Sequence, residues 1–223
     1  GIAIATTMTA QINGLNAAVK NANDAMSMLQ TADGALSETS SLMQRMRELS
    51  VMAVNDTYSS TQKTAMSTEF VALAAQIDQI ATNTQFNGTA VLTGAGGTYG
   101  GVGSFLFQVG ANNGQTMAVA IVSATLAQYS LTGATLATAA IAASNLNSLD
   151  SAITALNSQR STIGAAVNRL SHALDNLASV AANATDSRSK IEDTDYATAT
   201  SDLARQQIIA QAATAILAQA NQQ

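Results

Sequence analysis

Residues 42–53 read LMQRMRELSVMA and hold Arg45, Arg47 and Glu48 within four positions. The whole chain has only nine Lys plus Arg in 223 residues, so this placement needs a reason. Catalysis, a nucleic-acid contact, a solvated helix face and a docking surface are the four classes to weigh. Catalysis finds few other groups to work with. The single His172 lies between the apolar positions Leu170 and Leu174, on the outer face of a helical stripe, and is expected to be solvent-exposed. There is no cysteine, so thiol nucleophiles, disulfides and thiolate metal sites are excluded. One His without Cys also rules out the usual zinc patterns.

Two further groupings look like sites and are not. Glu192, Asp193 and Asp195 lack the glycine and the ligand spacing of a calcium loop, and read as a solvated helix junction. Gly101-x-Gly103 is followed by neither a lysine nor a helix, so a turn explains it better than a phosphate cradle. No catalytic, cofactor-binding or metal-ligating residue is therefore assigned, and an enzyme is not expected. Asn55, Asn87 and Asn183 open Asn-x-Thr triplets, in a chain so rich in Asn and Thr that chance matches are expected.

The net charge of −5 and the pI of about 4.6 argue against nucleic acid, which requires a basic face. No apolar run approaches the roughly 18 residues of a membrane span. The opening GIAIATTMTAQ has no charged n-region, no h-region and no initiator Met, so it is expected to be a cut inside a longer product. Charged residues make up 10% of the chain, against about 25% in an ordinary globular domain. A surface this neutral is poorly protected against association, which points to an assembly.

The elements that must carry Arg45 and its neighbours are helices. Proline is absent and aromatics are 4%, so long Ala-, Leu-, Ile- and Met-packed helices are favoured over a sandwich or an α/β enzyme. Ile12, Leu15, Val19, Ala22, Met26 and Leu29 recur in steps of three and four, the rhythm of a helix packed along its length. The rhythm weakens at Asp33 and resumes at Leu36, Met43 and Met46. The spacing predicts a helix over about 8–55, a rod of roughly 70 Å at 1.5 Å per residue, with tight crossings or mild bends at Gly14 and Gly34. NDTYSS at 55–60 turns the chain into a second helix to about 83, antiparallel to the first. Leu146, Leu149, Ile153, Leu156, Arg160, Ile163, Val167, Leu170, Leu174 and Leu177 give a third helix over about 145–183. Arg160 is the one polar member of that row. A charged, interrupted stretch at 185–202 precedes a last helix from about 203 to 220. Between the helical ends lies a β-region at about 84–125, in which alternating runs flank Asn113-Gly114 as a hairpin. The fold class is mostly α: a long antiparallel rod or coiled-coil bundle made from both chain ends, with a small central β-hairpin region.

Four segments carry a resemblance. NANDAMSMLQTADGALSETSSLMQRMRELSVMAVN at 21–55 resembles the N-terminal segment of bacterial flagellins, and TQFNGTAVLTG at 84–94 the segment after their second helix. FQVGANNGQTM at 107–117 resembles the family hairpin, and SRSKIEDTDYATATSDLARQQIIAQAATAILAQANQ at 187–222 the C-terminal signature. The resemblance implies an extracellular filament subunit, exported unfolded through the flagellar apparatus and polymerised beneath a cap. Its partners would be other flagellin subunits, an export chaperone, cap and hook-associated proteins, and the vertebrate innate flagellin receptor. It also implies a rod domain over 1–183, with a variable remnant at about 126–144, and a spoke and core helix over 184–223. The family's residues before a GLAI-like start are missing here, so that core helix is expected to lack its N-terminal partner and the chain not to polymerise alone. Ile208, Ile209, Ile216 and Leu217 would serve assembly and chaperone binding. The segment matching QRxREL, with Gln44, Arg45 and Leu49, would join Glu69 in a patch for intersubunit and receptor contact, Leu49 being its exposed hot spot. A polysaccharide-binding surface protein is the reading from another class, suggested by the abundance of Asn, Gln, Ser and Thr. The lack of Trp weighs against it. A hook–filament junction protein is the third.

Overall fold

A computed structural model describes residues 1–95, 103–193 and 196–221. Gly101 and Asp195, on which the Gly-x-Gly and acidic-run readings partly rest, lie outside the described residues. Two helices dominate. α1 spans Ile2–Val54 and α3 spans Ala139–Glu192, each more than 50 residues and about 80 Å long. They run antiparallel, side by side. Along α1 the buried row is Ile12, Leu15, Ala18, Ala22, Ala25, Leu29, Ala32, Leu36, Met43 and Met46. Along α3 it is Leu149, Ala152, Leu156, Ile163, Ala166, Leu170 and Leu177. Alanines at so many of these positions leave room for the helix axes to approach closely. Most of the core is contributed this way rather than by aromatics.

Three arginine ties mark the register. Arg47 meets Asp150, Asp33 meets Arg160, and Thr9 accepts from Arg188, so ascending α1 means descending α3. The weak point in the α1 rhythm and the polar member of the α3 row are therefore one feature. Arg160 Nε donates to Asp33 Oδ1 at 2.8 Å across the helix pair.

Both rods outrun their sequence-based bounds. α1 begins at Ile2 rather than near residue 8, and α3 covers 139–192 rather than 145–183. No proline or glycine stops either extension, and Arg188 and Glu192, one turn apart at 3.6 Å, carry α3 through the charged stretch. The boundary expected at 183/184 thus falls inside a continuous helix. α4, Tyr196–Ala220, likewise starts before residue 203. Gly14 is a close crossing, since a Cβ there would meet the Ala111 Cβ at 3.1 Å. Gly34 faces open space and α1 passes through it unbroken. Threonines within the helices bond back to the carbonyl four residues earlier, as Thr39 does to Ala35 at 3.0 Å, so a neutral chain satisfies its own hydroxyls.

α2, Ser60–Asn83, opens on a capping box: Ser59 Oγ accepts from the Gln62 amide and Gln62 Oε1 accepts from the Ser59 amide. It packs on α1 through Phe70, Ala74, Ile77 and Ala81. Strands β1 (Gln85–Phe86) and β2 (Thr89–Ala90) close over Asn87-Gly88, both at positive φ, as a type I′ turn requires. β3 (Ser104–Gln108) and β4 (Thr116–Ala120) form the second antiparallel hairpin, with Phe105 opposite Val119 and Phe107 opposite Met117.

The stretch expected as a variable remnant, 126–144, is neither loose nor separate. Residues 121–138 form a strap with Ile121, Leu126, Leu131 and Leu136 buried. Side chains of both flanking helices hold its backbone. Asp78 accepts from the Leu126 amide at 2.8 Å and Ser67 from the Leu136 amide at 3.1 Å. Asn145 donates to the Thr135 carbonyl and Gln159 to the Val122 carbonyl. From residue 139 onward the remainder is α3.

Candidate functional site

Arg45 and Arg47 are two residues apart on α1, about 200° around a helix of 3.6 residues per turn, so they leave opposite flanks. Each clasps a different neighbour. Arg45 Nε donates to Glu69 Oε1 of α2 at 2.8 Å, and its Nη1 to Glu48 Oε2 at 2.6 Å. Arg47 Nε donates to Asp150 Oδ1 of α3 at 2.5 Å. The hydrogen bond that Arg45 donates to Glu69, more than any other contact, raises the Arg45 pKa above its usual value, and the one that Arg47 donates to Asp150 does the same for Arg47. In return, the Arg47 hydrogen bond holds the Asp150 carboxyl below the ordinary carboxylate range. All these groups are about half exposed, so solvent and salt weaken each pair.

The patch expected from the sequence is thus only partly a surface. Gln44, Arg45, Glu48 and Glu69 are exposed and lie together on the α1–α2 flank. Leu49 is not the exposed hot spot it was expected to be: it is 2% accessible. It follows Met46 by three and precedes Ala53 by four, which puts it in the buried row. Sharing a helical face with Arg45 was the right geometry with the wrong consequence, because a long arginine at the row's edge reaches out over a leucine that points in. Leu49 supports the patch from below. The Arg47–Asp150 and Arg160–Asp33 ties were missed as pairs, although Arg160 and the break at Asp33 were each visible as irregularities in the apolar rhythm.

α4 carries the second group of expected residues. Every residue over 197–221 is exposed, with Ile208 at 65% and Leu217 at 70%. Ile209 and Ile216 are equally open. The last helix therefore offers a run of apolar side chains that no described element of the chain covers. His172 is exposed, as its position outside the row implied. Among the described residues, no three His, Cys, Asp or Glu side chains are grouped to hold a metal, and no helix is long and apolar enough to cross a membrane.

One polar atom departs from this pattern. The Tyr129 hydroxyl, in the strap, is buried with no hydrogen-bond partner, and burial raises its pKa to about 12. Two shallow hollows of about 400 and 270 Å³ flank that residue, lined by neutral side chains such as Gln128, Ser148 and Ser151 on one side and Gln159 and Thr162 on the other.

Residues 1–96 match the family described as the bacterial flagellin N-terminal helical region, and residues 146–223 the bacterial flagellin C-terminal helical region. A flagellin of Halalkalibacterium halodurans is 36% identical over the full chain and 80% of its own length. The crystal structure of Bacillus cereus flagellin is 35% identical, with a TM-score of 0.62 over 71% of this chain and 88% of that one. A structure described as that of a flagellar hook-associated protein from Vibrio parahaemolyticus reaches a TM-score of 0.67 over 83% of this chain and 95% of that one, at 15% identity, which shows the fold alone. The antiparallel rod, the two hairpins and the uncovered terminal helix accord with these sequence matches, and the arginines that opened the question serve helix clasping and surface charge instead of catalysis. The chain belongs to the bacterial flagellins, and as such it is a structural subunit of the extracellular flagellar filament and not an enzyme.

Proposed function

We propose that this flagellin joins the filament through two separate surfaces. α4 is the assembly helix, and Gln44, Arg45, Glu48 and Glu69 form a lateral patch between subunits. The observation that carries the first surface is the exposure of Ile208, Ile209, Ile216 and Leu217 on one helix. Covering a side chain of this size is worth about 1.5–3 kcal/mol, so a partner helix gains enough from the four to bind stably. Before assembly the flagellar export chaperone occupies the same residues and keeps them from aggregating, and the chain leaves through the flagellar export apparatus. Cap and hook-associated proteins meet the filament's ends through the same kind of helix contact. Deleting residues 203–223 is expected to abolish capture of the purified chaperone while the α1–α3 rod keeps its melting temperature. Equal chaperone capture by the deleted chain would overturn this assignment.

The lateral patch is open in the free monomer, which leaves it available to the vertebrate innate flagellin receptor. Arg45 is its centre, since it holds both Glu48 and Glu69 in place. Arg45→Ala is expected to shift the receptor dose response to higher protein concentration with helicity unchanged. An unaltered dose response would remove the patch from the receptor surface.

A further inference from the structure

The chain contains three Asn-Gly steps: Asn13-Gly14 lies within α1, and Asn87-Gly88 and Asn113-Gly114 lie on exposed hairpin turns. Such a step can react with itself. The backbone nitrogen of the glycine attacks the asparagine side-chain carbonyl carbon, a C–N bond forms, and ammonia leaves with the amide nitrogen. Water then opens the resulting cyclic imide to aspartate or isoaspartate. The co-reactant is water, and the product carries one more negative charge. Two conditions control the rate: the glycine nitrogen must be free, and the asparagine ψ must rotate to bring that nitrogen over its own side chain.

Nothing lies within 4 Å of the space beside either Gly88 or Gly114, so crowding does not separate the two steps. Backbone conformation does. Asn87 sits at φ 49° and Gly88 at φ 76°, in the two-residue turn locked between β1 and β2 by the Phe86–Thr89 pairing. To react, Asn87 must swing ψ out of the left-handed turn geometry, which breaks the type I′ turn and with it the short β1–β2 hairpin. Asn113 is not at positive φ, whereas Gly114 is, at 84°. With the Gln115 amide donating to the Asn112 carbonyl at 3.2 Å, this is the pattern of a type II turn, with Asn113 at its first central position. From there the reactive ψ is reached through the extended region open to any L residue, and one long hydrogen bond is lost.

We propose that Asn113 is a self-modification site of the folded protein and that the Asn87-Gly88 turn protects its own asparagine. The consequence is local and directional. The tip of the β3–β4 hairpin is seated on α1: Asn21 Nδ2 donates to the Gln108 carbonyl at 3.2 Å, and Ala111 fits against Gly14. Gln115 Oε1 in turn accepts from the Asn112 amide at 2.9 Å. Isoaspartate inserts an extra main-chain carbon between Asn112 and Gln115, so the tip loses its stapling and carries an added negative charge. A hairpin that ages in this way gives each subunit a surface that changes with time after folding.

The test is incubation of the full chain in mildly alkaline buffer, followed by peptide mass spectrometry and isoaspartyl methyltransferase labelling of the 113 and 87 peptides. A parallel sample is kept in denaturant, where both steps are free and serve as the rate reference. In the folded protein the 113 peptide is expected to convert several-fold faster than the 87 peptide, with the two rates converging in denaturant. Asn113→Gln is expected to remove the fast phase without altering the melting temperature. Equal rates in the folded chain, or protection of both asparagines relative to denaturant, would overturn the proposal.

Discussion

Leu156 and Leu217 sit in helices of nearly the same composition, rich in Ala, Ser, Gln and Asn and poor in charge. Leu156 is fully buried, whereas Leu217 is 70% exposed. The difference lies in what each helix meets. α3 has α1 beside it for almost its whole length, and their apolar rows face each other at three- and four-residue steps. α4 has the apolar side chains and no described partner. The contrast teaches that periodicity reports where apolar groups are and leaves open which chain covers them. The two questions have different answers at the two regions: the rod is covered from within, and no described element of the chain covers α4.

The sharpest way to break this comparison is to truncate one leucine or isoleucine in each region. Leu49→Ala removes a fully packed side chain from beneath the Arg45 patch and is expected to cost about 2–5 kcal/mol, read by thermal or urea unfolding. Ile216→Ala is expected to leave unfolding of the free chain almost unchanged, because its side chain is already 68% exposed. Its effect should appear in subunit assembly. If both substitutions destabilise the free chain equally, α4 is packed in solution and the distinction between the regions is lost.

Much of this arrangement was legible in the sequence. The three- and four-residue steps placed Met43 and Met46 in the core, and Asn-Gly pairs placed both turns. The helix ends were not legible, because a chain without proline gives no stop signal and charged residues such as Arg188 and Glu192 can continue a helix as easily as end it. The strap was not legible either. Gln128 to Ala143 has no period, and its order comes from single hydrogen bonds out of Asp78, Ser67, Asn145 and Gln159, long-range contacts that no local pattern encodes. At the candidate patch, the family resemblance, and not spacing, brought Glu69 together with Gln44 and Arg45, and the structure pairs Arg45 with Glu69 across α1 and α2. Whether Leu49 faced out depended on the rotational phase of the core row, which is set by where α3 lies.

The strap invites the second-largest effect, and with the opposite sign. Tyr129 is 7% exposed with its hydroxyl unpaired. Leaving such a group unsatisfied costs about 1–3 kcal/mol, so Tyr129→Phe is expected to stabilise the protein by an amount in that range. The raised phenol pKa adds a pH signature. Below the unfolded pKa near 10 the phenol is protonated in both states. As pH rises from there toward the folded value of about 12, the unfolded chain releases its proton first, so the wild-type protein loses stability across that window. Melting temperatures of the two proteins should diverge further with rising pH. Parallel curves would mean that the hydroxyl finds a partner.

The ion pairs sharpen the comparison within the rod itself. Asp33 and Arg160 are both more than one-third exposed by side chain or close to it, at 39% and 34%, so Asp33→Asn is expected to cost less than about 1 kcal/mol. A double-mutant cycle with Arg160→Gln isolates the coupling. A zero coupling would show that the apolar rows alone set the register.

The smallest effect belongs to Arg47 and Asp150, at the surface of the same helix pair. Because Asp150 has its pKa lowered in the folded state, its contribution is present above the unfolded carboxylate value near 3.9 and is lost as pH falls below it. Acid should therefore loosen the α1–α3 contact near Asp150 slightly before the row at Ile163, Ala166 and Leu170, which is held by apolar contacts. Asp150→Asn should remove that difference, and added salt should shrink it in the wild type, since the pair is about half exposed. Hydrogen exchange of α3 amides around residue 150 across pH 3 to 5 is the measurement. Uniform exchange along α3 in both proteins would mean that helix packing, and not this charge pair, holds the outer end of the rod together.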